Sequence, residues 1–229
     1  MNVAALMPVK GFHNAKQRLS PLLSGAAREV LAETMFRDVL RQVRLARGLA
    51  GTFVVTGDDK VAAIASSAGV EVIRETAENG ETSAVDFARL ELKRAGCEAV
   101  LILPADMPLV RAEDVEAVLA QVPVEALAPY ALLVPSHDKL GTNALLLAPP
   151  DVIRLRFGHD SFTFHMNQVT AQGLPARYVE NEHLALDIDE PKDLERFLAF
   201  GYRGGESTRV AQELLAARAA PTGESTGGA

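Results

Sequence analysis

Ala99 to Leu103 reads AVLIL, an apolar run with no polar break. A strand of that kind has no face for water, so it belongs in the middle of a sheet covered on both sides. Strand and helix signals alternate around it, which predicts a layered α/β domain with a mostly parallel central sheet. Val3 to Pro8 (VAALMP) is the first expected strand. Ser24 is an N-cap type, and Val30, Leu31, Met35, Phe36, Val39, Leu40 and Val43 after it are spaced for one helical face. Gly48 and Gly51 are expected to end that helix. Thr52–Thr56 and Val70–Ile73 read as strands, with a short helix to about Ala68 between them. A further helix is expected from about Ser83 to Ala95.

The second half continues in the same manner. A helix is expected over Ala112–Leu119 and an irregular stretch from Pro123 to Pro129. Leu132–Val134 and Asn143–Leu147 read as two strands joined by a polar turn. Ser161–Gln172 reads as helix, and Arg177–Val179 and Leu184–Ile188 as strands. Pro191 suits the first turn of a helix, with Leu194, Phe197 and Leu198 facing inward. Glu206–Ala219 reads as a last helix. With no internal repeat and no linker, residues 1–220 are read as a single domain. The Gly-, Ser- and Thr-rich residues 221–229 are read as a disordered tail.

The chain's 229 residues suffice for one large core. No run of about 18 apolar residues occurs, so no membrane partner is expected. The N-terminus lacks a signal-peptide pattern. The single Cys97 suits a reducing compartment and a structural thiol, so a cytoplasmic location is expected. A formal net charge of -7 argues against nucleic acid as a partner. It also means that a polyanionic ligand requires cations concentrated locally.

Such cations follow the first strand directly, as Lys10, Lys16 and Arg18. Ligands of open α/β sheets bind where strands end. Cations there point to a polyanion, most simply a nucleoside triphosphate. A solvated basic loop is the plainer explanation, and the carboxylates decide between the two. Asp106, in LILPADMPLV, follows the core strand. An Asp there also serves as a helix cap or turn former. In LALDIDEPKD, Asp187 and Asp189 share one face of an extended chain. Two adjacent carboxylates repel unless a cation or proton lies between them. Magnesium, which takes one or two carboxylates together with substrate phosphates, suits Asp106, Asp187 and Asp189.

Two polar clusters lie between these carboxylates. In Lys139-Leu140-Gly141-Thr142-Asn143, Thr142 offers a hydroxyl and a backbone N–H, although an ordinary hairpin turn explains the cluster as well. In Phe157-Gly158-His159-Asp160-Ser161-Phe162, Ser161 is either a plain N-cap or, with Gly158, part of a helix N-terminus for phosphate or carboxylate. His165 on that helix reads as a satisfied histidine rather than a catalyst. His13, His137 and His183 lack zinc-ligand spacing.

Taken in order, PVKG with AKQRLSPLLS, LPADMPL, GTNALLL, FGHDSF with His165, and LDIDEPKDL resemble a known family. It is the 2-phospho-L-lactate/phosphoenolpyruvate guanylyltransferases of coenzyme F-420 biosynthesis, and the resemblance runs from Asn2 to Phe200. It implies a three-layer α/β/α nucleotidyltransferase fold, nucleotide-diphospho-sugar transferase-like and similar to that of molybdenum-cofactor guanylyltransferase. It implies two Mg2+ ions on Asp106, Asp187 and Asp189, which with Lys16 form the catalytic set. It implies nucleotide contacts from Met7, Pro8, Lys10 and Lys16, and acceptor contacts from Lys16, Thr142, Gly158 and Ser161. The loop facing the base is usually Gly-Leu-Asn-Ala-Ala in the family. Here it is Gly80-Glu81-Thr82-Ser83-Ala84, so Gly80, Thr82 and Ser83 take the nucleotide-facing positions and Thr82 replaces a base-reading amide.

The implied reaction is transfer of GMP from GTP to phosphoenolpyruvate, 2-phospho-L-lactate or 3-phosphoglycerate, with release of pyrophosphate. An Ala- and Arg-rich composition favours phosphoenolpyruvate by family analogy. The alternatives are a nucleotidyltransferase with a molybdopterin or sugar-phosphate acceptor, a metal-dependent glycosyltransferase, or a catalytically silent nucleotide-binding protein. The expected partners are these small molecules, with a homodimer left open.

Overall fold

The computed structural model describes residues 2–75, 80–122, 129–201 and 205–219. The expected irregular stretch at 123–128 and the expected tail lie outside the described residues. Seven strands form one sheet in the order β3-β2-β1-β4-β6-β5-β7. They are β1 (Val3–Pro8), β2 (Gly51–Thr56), β3 (Glu71–Arg74), β4 (Ala99–Ile102), β5 (Tyr130–Pro135), β6 (Thr142–Ala148) and β7 (Arg177–Tyr178). β1, β2, β3 and β4 are parallel, and β6 runs antiparallel to both β4 and β5. The helices are α1 (Gly25–Leu45), α2 (Asp59–Ser67), α3 (Glu81–Arg94), α4 (Ala112–Leu119), α5 (Ser161–Ala171), α6 (Pro191–Ala199) and α7 (Gly205–Ala219).

β4 accounts for the layering. Ala99, Leu101 and Leu103 pack with Phe36 and Val39 of α1, Val61 of α2 and Val115 of α4. Val100 and Ile102, pointing the other way, pack with Val85 and Leu92 of α3 and Val169 of α5. Helices therefore cover both faces, as the unbroken apolar run requires. A third cluster joins Leu31 and Met35 of α1 to Leu194 and Phe197 of α6 and Ala211 of α7.

The antiparallel β6 matters for the site. Leu145 of β6 lies opposite Ile102 of β4, so Thr142 and Asn143 stand just past the C-terminal end of β4. Because β1 and β4 are adjacent and parallel, the loops that follow them emerge at that same edge.

Three local expectations change. Val30 is 49% exposed rather than core-facing, because the apolar stripe of α1 begins at Leu31. Ala46 caps α1 in an extended conformation, so the helix stops before Gly48, and Gly51 already belongs to β2. Leu184–Ile188 forms no strand. That segment leaves a turn at Leu184 and continues without a ladder, tied by Ala185 O to His137 N (2.9 Å) and by Ile188 N to Asp106 O (3.1 Å).

Asp38 anchors α7 to α1. Its Oδ2 accepts from Ser207 N (2.7 Å) and Ser207 Oγ (2.8 Å), and its Oδ1 from Arg41 Nη2 (3.0 Å). Asp38→Ala leaves two buried donors of Ser207 unpaired, at a cost of about 1–3 kcal/mol. The urea midpoint should fall accordingly with an unchanged slope. A midpoint equal to that of the natural chain would show that this anchor contributes nothing.

Candidate active site

The basic loop turns inward at Lys16, whose φ of 53° and ψ of 44° are left-handed. That conformation costs a non-glycine residue about 1–2 kcal/mol, and here the loop is held by Arg28, which donates to Leu23 O (2.9 Å) and Ala15 O (3.3 Å). The turn directs the Lys16 ammonium to Asp106 Oδ2 (2.6 Å) and Asp189 Oδ1 (2.8 Å). Burial alone would lower the lysine's pKa. The two carboxylates outweigh it and hold the ammonium above its ordinary range, so it stays protonated.

Asp106 enters the loop after β4. In the segment before α6, Leu184, Leu186 and Ile188 are buried while Asp187 and Asp189 face the cavity. The alternation expected of a strand is thus kept without a ladder. Asp187 accepts from Asn143 Nδ2 (3.0 Å). Burial, with Asp106 and Asp189 nearby, pushes the Asp187 carboxyl up to about 6. Burial would also raise Asp189, but Lys16 overrides it and holds that carboxyl below its usual value.

Asp106, Asp187 and Asp189 line one cavity of about 610 Å³. Asp106 Oδ1 is buried and has no hydrogen-bond partner among the described residues. As the side chains stand, no group of three or more His, Cys, Asp or Glu among the described residues is arranged to hold a metal ion. The donor set is nevertheless all oxygen, with one buried acceptor unpaired and one carboxyl pushed towards protonation. That suits a hard divalent cation completed by ligand phosphates rather than a closed protein cage.

Thr142, Gly158 and Ser161 line the same cavity. Thr142 N–H donates to Ser161 Oγ (3.0 Å), and Thr142 Oγ1 lies 2.9 Å from His165 Nδ1. His165 is fully buried, as a satisfied histidine should be. Gly158 has φ 104°, and the space where a side chain would point is open.

Pro8, Lys10 and Lys16 line a second cavity, of about 230 Å³, which shares Asp106, Pro104 and Glu81 with the first. The structure does not gather every expected nucleotide contact. Met7 is fully buried in the core. Gly80, Thr82 and Ser83 line neither cavity. The Thr82 hydroxyl instead accepts from Phe157 N–H (3.0 Å), fixing the loop that carries Gly158. Glu81, which the sequence reading passed over, lines both cavities. Burial and Asp106 push its carboxyl up to about 7, with Lys10 opposing. Its position within Gly80–Ala84, the loop expected to face the base, was the available signal.

A mostly parallel α/β sheet whose strand ends gather lysines and carboxylates around adjoining cavities is the framework of a nucleotidyltransferase. The chain belongs to the guanylyl transferase CofC-like family, which matches residues 3–215. It is 36% identical over 201 residues to a phosphoenolpyruvate guanylyltransferase of Rubrobacter xylanophilus, covering 88% of this chain and 96% of the relative. It is 34% identical to a 2-phospho-L-lactate guanylyltransferase of Methanothermobacter thermautotrophicus (88% and 86% covered). It is equally 34% identical to a 3-phospho-D-glycerate guanylyltransferase of Phenylobacterium zucineum (92% and 95% covered). A Desulfovibrio desulfuricans G20 structure named for the nucleotide-diphospho-sugar transferases shares the fold, with a TM-score of 0.75 at 17% identity (93% and 95% covered). Among the described residues no helix is long and apolar enough to cross a membrane.

The Asp187 shift sets a pH dependence. Between its ordinary 3.8 and about 6, the native chain holds a proton that the unfolded chain has released, so stability falls as pH rises through that window. Asp189, shifted the other way, acts below that range. Urea unfolding of Asp187→Asn between pH 4 and 6 should therefore show a flatter profile than the natural chain. Identical slopes would place Asp187 in an ordinary, solvated setting.

Proposed function

We propose that the chain transfers GMP from GTP to a small phosphorylated carboxylic acid and releases pyrophosphate. The observation that carries this reading is Lys16, which lines the smaller cavity and is held by Asp106, shared with the larger cavity, and by Asp189 of the larger one. A cation fixed there can meet phosphates from either side. Family membership and relatives named as guanylyltransferases support the same reading. Relatives named for three different acceptors stand at 34–36% identity, so overall similarity does not select among them. Phosphoenolpyruvate is the acceptor to test first, because five of the relatives, at 32–36% identity, carry that name.

An oxygen of the acceptor phosphate attacks the α-phosphorus of GTP. A new P–O bond forms, the bond to the bridging oxygen of the β-phosphate breaks, and pyrophosphate leaves with the electron pair. The acceptor phosphate is already ionised at neutral pH, so no covalent enzyme intermediate is required. Lys10 and Lys16 offset the triphosphate charge. Thr142, Ser161 and the backbone at Gly158 orient the acceptor. Asp106, Asp187 and Asp189 would hold Mg2+, which when bound supplies positive charge to the phosphates. Holding two anions in line is the main task of the protein, and such positioning lowers a barrier by about 7–11 kcal/mol.

The test is a matrix of GTP, ATP, CTP and UTP against the three phospho-acids, with Mg2+ present. Pyrophosphate is the readout, and mass spectrometry identifies the product. Pyrophosphate should form with GTP and at least one acceptor; none with any phospho-acid would refute the reading. In the productive pair, Asp106→Asn should lower turnover about 10²–10³-fold or more while the fold survives. Near-normal turnover at saturating Mg2+ would remove Asp106 from the metal site. Lys16→Ala should raise KM for both substrates, and unchanged values for both would deny its bridging role.

A further inference from the structure

His165 lies in the middle of α5, fully buried, and the reaction as proposed makes no direct use of it. Both ring nitrogens are engaged. Nε2 lies 3.1 Å from the backbone N–H of Arg156, a group that only donates. Nε2 is therefore the acceptor, and the proton of the neutral ring sits on Nδ1. Nδ1 is 2.9 Å from Thr142 Oγ1 and donates to it. The rings of Phe157 and Phe164 meet the imidazole edge to face at 5.4 and 5.7 Å, which fixes its plane. Burial, reinforced by Arg156 and Arg89, pushes the ring's pKa down to about 4, so it is neutral at physiological pH.

The consequence falls on Thr142. A hydroxyl has one hydrogen and two acceptor lone pairs. His165 fills a lone pair, so the hydrogen must point elsewhere. Among the hydrogen bonds of the described residues, no carbonyl or carboxylate takes it. Ser161 stands alike, because its Oγ accepts from Thr142 N–H and its own hydrogen is uncommitted. Both residues line the larger cavity.

We infer that His165 is a positioning residue that makes the Thr142 hydroxyl an obligate hydrogen-bond donor towards an anionic oxygen of the acceptor. This deepens the proposed function and rests on its placing the acceptor against Thr142. The bonds run one way, from Arg156 N–H to His165, from His165 to Thr142, and from Thr142 to the anion, each polarising the next. The opposite tautomer would set two N–H groups head to head at Arg156. It would also let Thr142 donate to Nδ1 and present only a lone pair to the anion, which is repulsive.

Three single variants, one double variant and one measurement on the unsubstituted chain test this. His165→Gln can still accept from Arg156 N–H but does not reach Thr142. It should raise KM for the acceptor about 10- to 100-fold, the loss expected for one hydrogen bond to a charged group, with KM for GTP little changed. His165→Asn places an amide donor near the Nδ1 position and should restore most of the acceptor affinity. Thr142→Val should match His165→Gln, and the double variant should be no worse than Thr142→Val alone.

An unchanged acceptor KM in His165→Gln, beside a raised one in Thr142→Val, overturns the role of His165 and leaves the acceptor site standing. An unchanged acceptor KM in Thr142→Val overturns the acceptor placement itself. Should His165→Gln fail to fold, nitrogen-15 NMR of the unsubstituted chain decides. The proton should reside on Nδ1 near neutral pH, and a proton on Nε2 refutes the inference.

Discussion

The ammonium of Lys16 lies between carboxylates that are 90 and 173 residues away in the chain. Burying a lone charge costs several kcal/mol, and the cost is recovered only when opposite charges and hydrogen bonds meet it in good geometry. Topology supplies that geometry. Parallel pairing of β1 with β4 sends the Lys16 loop and the Asp106 loop to one edge of the sheet. The Ile188 N–H to Asp106 O bond then brings the Asp187–Asp189 segment against them. The beginning, middle and end of the chain thus share one charged centre, while the largest core clusters lie in the sheet below it.

That centre offers the proposed reaction a local cation in an acidic protein. The overall charge is -7, yet Asp106, shared by the two cavities, holds a largely buried cation that lines the smaller one. Around it the carboxylates differ. Asp189 is held ionised by Lys16, whereas Asp187 is pushed towards protonation by burial and its acidic neighbours. Asp106 Oδ1 has no hydrogen-bond partner among the described residues. Such an imbalance is what a divalent cation arriving with a phosphorylated ligand would relieve. Thr142 and Ser161 add hydroxyl groups to the larger cavity, and the buried histidine bonds the Thr142 hydroxyl from behind.

Much of this was legible in the sequence because the signals were local. AVLIL required a two-sided central strand, and β4 divides its side chains between two cores. LALDIDEP predicted paired carboxylates by alternation, and they share a face even though the segment forms no ladder. What escaped depended on packing from distant elements. Val30 fits a helical stripe by spacing, but the neighbours of α1 leave it at the rim. Thr82 stands at a nucleotide-facing position by resemblance, yet it bonds Phe157, 75 residues away. Glu81 was one residue of the loop Gly80–Ala84 with no role of its own, and the meeting of two cavities singles it out.

The most direct test of the charged centre is a carboxyl carbon-13 NMR titration of the unliganded chain, with the aspartates assigned. Asp187 should titrate near 6 and Asp189 below the ordinary aspartate value, and Lys16→Met should raise Asp189. Ordinary, matching values for both, indifferent to the loss of Lys16, would show that the ammonium does not lie between those carboxylates in solution.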